Sequence, residues 1–88
     1  MALVKVKFTG PADRFGVRLD DDVLEFNDKG EASDEMEPGT HFITFFVIAP
    51  PGTKCKIAIT DPPSARWERD LPIPANGVNG GFRKFSVS

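Results

Sequence analysis

The fold turns on one stretch, Thr40-His41-Phe42-Ile43-Thr44-Phe45-Phe46-Val47-Ile48-Ala49, which runs through Pro50-Pro51-Gly52-Thr53 into Lys54-Cys55-Lys56-Ile57-Ala58-Ile59-Thr60. Alternate residues of an extended chain point to opposite sides. That sorting puts His41, Ile43, Phe45, Val47 and Ala49 in one row of the first segment and Phe42, Thr44, Phe46 and Ile48 in the other. Both rows are apolar. In the second segment Cys55, Ile57 and Ile59 share a side, with Lys54 and Lys56 opposite. β-Branched and aromatic residues favour strands, and the Pro-Pro-Gly between the segments predicts a central β-hairpin.

The same alternation continues on either side. Val4, Val6 and Phe8 alternate with Lys5 and Lys7, and Phe15, Val17 and Leu19 alternate with Arg18. Gly10 to Asp13 makes the turn between them. Asp20-Asp21-Asp22 reads as a hairpin tip returning through Val23 to Phe26, with Leu24 and Phe26 inward. Residues 27–39 hold one large apolar side chain, Met36, among Gly30, Pro38 and Gly39, which predicts a long acidic loop. Pro72 and Pro74 confine the alternating Trp67, Leu71 and Ile73 to a sheet edge or crossing segment. Two Asn-Gly pairs make residues 75–81 a loop, and Phe82 to Val87 closes the chain with Phe85 and Val87 inward. No window carries a helical period. The expectation is one all-β domain over residues 1–88, a small two-sheet antiparallel sandwich of six or seven strands.

The run Glu37-Pro38-Gly39-Thr40-His41-Phe42-Ile43-Thr44-Phe45 resembles the entry to a late strand in immunoglobulin-like and transthyretin-like β-sandwich modules. The resemblance implies architecture and nothing about activity. The chain departs from those modules in having no tyrosine, hence no tyrosine corner, and no cysteine pair.

The single cysteine, Cys55, excludes an intramolecular disulfide and a cysteine-ligated zinc site. Charge is sorted along the chain. Residues 20–37 carry nine acids against Lys29, a balance of −8, and the rest carries ten bases against four acids, +6, which sum to the net −2. The N-terminal residues alternate rather than forming the apolar core of a signal peptide, and Phe42 to Ala49 is too short to span a bilayer. The default localisation is cytoplasmic, the alternative being a domain cut from a longer chain.

Catalytic motifs are missing, so the expectation is a non-enzymatic protein. Cys55 and His41, on adjacent strands of the expected hairpin, are the one conceivable nucleophile and base. Cys55, however, shares a side with Ile57 and Ile59, where a thiol acts as a small hydrophobe. The carboxylates of residues 20–37 sit in turns, without the apolar pocket that raises an acid's pKa for glycosidase-type chemistry. Calcium is the better use of them, with Asn27, Asp28 and Glu31 as oxygen donors, although Lys29 falls where an EF-hand loop needs a ligand. The acidic segment repels phosphate, which argues against nucleic acid.

Two phenylalanines and an isoleucine on the second row of residues 42–48 require a cover. It is supplied by residues 67–74, by a second copy or by a protein partner. The expected interaction surface is Phe42, Phe46, Ile48 and Trp67, together with Asp34 and Glu35 of the acidic loop. The alternative is a small-ligand module, binding calcium through the loop or a sugar on Trp67 and Phe82.

Overall fold

The computed structural model describes residues 1–88. It is all-β, with strands β1 (Ala2–Thr9), β2 (Arg14–Leu19), β3 (Asp22–Val23), β4 (Glu31–Met36), β5 (Gly39–Ile48), β6 (Lys54–Asp61), β7 (Trp67–Pro72) and β8 (Val78–Val87). One turn of 3-10 helix, Pro63–Ala65, lies between β6 and β7. The strands form two antiparallel sheets, a first in the order β4-β1-β6-β7 and a second in the order β3-β2-β5-β8.

The alternation read from the sequence is the alternation of burial. Val4, Val6, Phe8, Cys55, Ile57, Ile59 and Leu71 from the first sheet meet Val17, Leu19, Ile43, Phe45, Val47, Phe85 and Val87 from the second in a single core. No polar or charged side chain is buried in it. At one end Phe8 stacks on Phe15 with centroids 4.0 Å apart, and Phe26 meets Phe15 edge-on at 5.0 Å, so three rings bridge the sheets.

The central hairpin is not formed. β5 pairs with β2 and β8, while β6 pairs with β1 and β7. Pro50 to Thr53 therefore carries the chain from one sheet to the other. Proline has no N–H to give to a ladder. The crossing is instead tied to the end of β7, where Gly52 N–H donates to the Ile73 carbonyl and Ile73 N–H to that of Thr53, both at 2.9 Å.

The strand count is eight because the expected acidic loop contains β4. Its residues pair with β1 from Ala2↔Met36 to Lys7↔Glu31, which places Ala32 and Met36 toward the core and Glu31, Ser33 and Glu35 outward. The expected loop at residues 75–81 is likewise cut short, since β8 begins at Val78. Pro72 ends β7, which is an edge strand, as the prolines at 72 and 74 lead one to expect.

Candidate functional site

The outer faces of the two sheets differ in kind. On the first sheet the outward rows carry Lys5, Lys7, Lys54 and Lys56 with Glu31, Glu35, Glu68 and Asp70. Lys54 lies 4.0 Å from Asp70 and Lys56 3.5 Å from Glu68, so charges of both signs meet across strands. This is a solvated surface.

The outward face of the second sheet is apolar. Register places Val23 beside Arg18, Arg18 beside Thr44 and Thr44 beside Phe82 in one row across β3, β2, β5 and β8. The next rows are Gly16, Phe46 and Gly80, then Arg14, Ile48 and Val78, with Phe42 beside Lys84 at the other end. Exposure is 68% for Phe82, 45% for Phe42, 44% for Phe46 and 39% for Ile48. Six of the eight exposed large hydrophobic residues, Val23, Phe42, Phe46, Ile48, Val78 and Phe82, lie on this one face. The Phe46 ring lies over Gly16, where a Cβ would run into it. Beside that ring Gly16, Arg18, Val23 and Thr44 border a depression of about 330 Å³.

Residues 67–74 do not cover this face. Trp67 to Pro72 is β7 of the opposite sheet, and Leu71 and Ile73 are buried in the core. Trp67 stands half-buried at the side of the molecule where β7 and β8 approach each other. Its ring is 5.9 Å from Phe45, with the guanidinium of Arg69 at 5.3 Å and that of Arg83 at 5.4 Å. Trp67 and Phe82 therefore lie on opposite sides of β8 and form no joint platform for a sugar ring.

Asp34 and Glu35 are strand residues, not loop residues. Asp34 sits opposite Val4 on the core side of edge strand β4, and Glu35 faces outward beside Leu3. Asp21, Asp22, Glu25 and Asp34 line an open groove of about 630 Å³ along the β3–β4 side. No three carboxylate, histidine or cysteine side chains converge there or elsewhere as metal ligands. Asn27 is engaged in its own turn, where its Oδ1 accepts the N–H groups of Lys29 at 2.9 Å and Glu31 at 3.0 Å.

Comparison with protein families, with curated proteins and with solved structures returns no match. The site is therefore read from geometry.

His41 and Cys55 are on different sheets, with Cys55 following the connection that leaves the far end of β5. Cys55 is fully buried, and burial pushes its thiol up from the ordinary 9.0. His41 is held on both ring nitrogens. Nε2–H donates to the Glu37 carbonyl at 2.7 Å, and Nδ1 lies 2.6 Å from Asp20 Oδ2. The Glu37 carbonyl and then the Asp20 carboxylate push the imidazole above its ordinary 6.5. Partial burial opposes ionisation of Asp20, but the Phe42 N–H and the His41 ring outweigh it and hold the carboxyl below 3.8. The pair is a clasp between the β2–β3 turn and the start of β5, and it has no free nitrogen for proton transfer.

Sequence reasoning found Phe42, Phe46 and Ile48, which the structure brings together. It missed Val23 and Val78 as parts of the same face and used Phe82 in another site. The available signal was the pairing of turn-flanking hydrophobics with Arg14, Arg18 and Lys84 on alternating positions, readable only once the register is known. No helix is long and apolar enough to cross a membrane.

Proposed function

We propose that the protein is a non-catalytic interaction module that docks a protein partner on the outer face of the β3-β2-β5-β8 sheet. One observation carries the reading. The large hydrophobics left in solvent are gathered on that face, while the opposite face is charged and paired. Scattered exposed hydrophobics are ordinary on a soluble protein, but a contiguous patch marks a contact surface. The acidic side formed by β3 and β4 adds steering rather than affinity. The immunoglobulin-like or transthyretin-like character of the sandwich belongs to the same proposal, resting on the turn at Gly39 (φ 131°) that opens β5.

A photo-crosslinking phenylalanine analogue at position 82, compared with the same group at Lys7 on the first sheet, tests the reading in cells that make the protein. The expected result is adducts of defined mass from position 82 alone, lost when Phe42→Lys is added. Equal labelling from both positions, or none from position 82, would overturn it.

A further inference from the structure

The apolar face carries its own charge pattern. Arg14 and Arg18 project outward from β2, and Lys84 from β8, around Phe42, Phe46 and Ile48. None of the three takes part in an ion pair. Asp20, at the Phe42 end of the face, is committed to His41 and to the Phe42 N–H, while Asp21 and Asp22 belong to the groove on the β3–β4 side. Four of the five strand-borne cations of the opposite sheet, by contrast, share their outward face with four carboxylates. The docking face is thus an apolar surface with three unanswered positive charges, in a chain whose net charge is −2.

Arg14 and Arg18 are four residues apart on one strand, about 13 Å at the usual rise of a β-strand. Between them lie Gly16 and the Phe46 ring, beside the depression of about 330 Å³. A pocket of that size accepts one apolar side chain, the usual form of an interface anchor. Arg18 borders the depression, Arg14 and Lys84 stand farther along the face, and none of the three has an ion-pair partner within the molecule.

We infer that the face takes an acidic polypeptide segment, one that seats an apolar side chain beside Phe46 and sets carboxylates on either side of it against Arg18 and Arg14 or Lys84. This rests on the docking reading above and specifies the partner's chemistry. A second copy in face-to-face contact is disfavoured, because each face brings three cations without ion-pair partners and the two charges add. A phosphate polymer or an anionic bilayer is disfavoured as well, because either would extend its charge past the face onto Asp21, Asp22 and Glu25 on the β3–β4 side. Discrete carboxylates set among apolar residues fit both features.

The test is selection of a displayed random 12-residue peptide library on the intact protein, with the Arg14→Gln/Arg18→Gln/Lys84→Gln variant as the counter-target. The expected peptides are enriched in Asp and Glu over the input and carry at least one Leu, Ile, Phe or Trp. Their affinity falls tenfold or more on the triple variant and with added salt. The variant's unchanged melting temperature shows that the fold is not the cause. Peptides without acidic enrichment, affinity indifferent to the triple substitution, or no selected binder would each overturn the inference. So would tighter binding of oligo(dT) or phosphatidylserine vesicles, or a concentration-dependent dimer. Crosslinks from position 82 that persist alongside such a result keep the docking face and remove only the acidic partner.

Discussion

At the scale of single residues, the Asp20–His41 clasp makes stability depend on pH in a definite window. The histidine's pKa is raised on folding, so its contribution is complete below the unfolded value near 6.5 and is lost as pH rises through the higher folded value. The aspartate's is lowered, so its contribution is complete above the unfolded 3.8 and is lost as pH falls through the lower folded value. Both are present between about pH 4 and 6.5. Urea denaturation at stepped pH should therefore show a stability maximum there, and His41→Asn should flatten its alkaline side. A histidine titrating at or below 6.5 by NMR in the native protein would contradict the clasp. Cys55 gives a second residue-scale prediction. Its thiol is buried, and a Cβ on Gly10 would come within 2.6 Å of its Sγ, so the backbone of the β1–β2 turn closes over it. The native thiol should react with an aromatic disulfide reagent only as fast as the protein opens. Cys55→Ser should cost about 1–3 kcal/mol in denaturant melts, the usual cost of an unpartnered buried hydroxyl.

At the scale of strands, two glycines flanking Phe46 should respond oppositely to substitution. At Gly16 an added side chain meets the far end of the Phe46 ring, which can swing away, and a β-branched residue suits a strand. Gly16→Thr should leave stability within about 1 kcal/mol of the parent while displacing the ring and filling the depression. At Gly80 the added Cβ would lie 2.6 Å from the Phe45 carbonyl oxygen, a backbone atom that cannot turn aside. Gly80→Ala should cost about 1–3 kcal/mol, as overpacking does. Equal effects at the two sites, read from chemical denaturation and Phe46 ring shifts, would count against the register of β2, β5 and β8. Strands of this kind were legible where apolar residues alternate, as in β1, β2, β5 and β6. β4 was not, because Glu-Ala-Ser-Asp-Glu-Met offers only Ala32 and Met36 to the core and derives its order from pairing with β1. Nor could the partners of β5 be read. A hairpin and a crossing between sheets both join two alternating strands by a short proline-glycine turn, and each leaves the same row inward. The same ambiguity leaves open what covers the second row of β5, whether residues 67–74, a second copy or a partner; in the structure β5 spends one row on the core and leaves the other in solvent.

For the whole molecule, the alternation of strands between sheets makes the fold one cooperative unit. Only β2–β3 and β6–β7 pair as sequence neighbours; β1 meets β6 with Phe8 opposite Ile57, 57 − 8 = 49 positions along the chain. Such pairings must close long loops before they are rewarded, so refolding should fall in the millisecond-to-second range of small β-proteins. The sorted charges follow this topology, with the acids of residues 20–37 gathered at the β3–β4 side and Arg66, Arg69, Arg83 and Lys84 on or beside β7 and β8. β8 is an edge strand of ten residues, but it is not expendable. It supplies ten register pairs to β5 and buries Phe85 and Val87, each worth about 1.5–3 kcal/mol of burial. Its loss would also bare the core beneath β5 from the side. Against a total stability of about 5–13 kcal/mol for a chain of this length, those two side chains alone are about half of the margin, before the exposed core is counted. Deleting residues 78–88 should accordingly leave a chain with no cooperative thermal transition by circular dichroism. If the shortened chain melts cooperatively, seven strands hold the core without the eighth and the molecule is not a single unit.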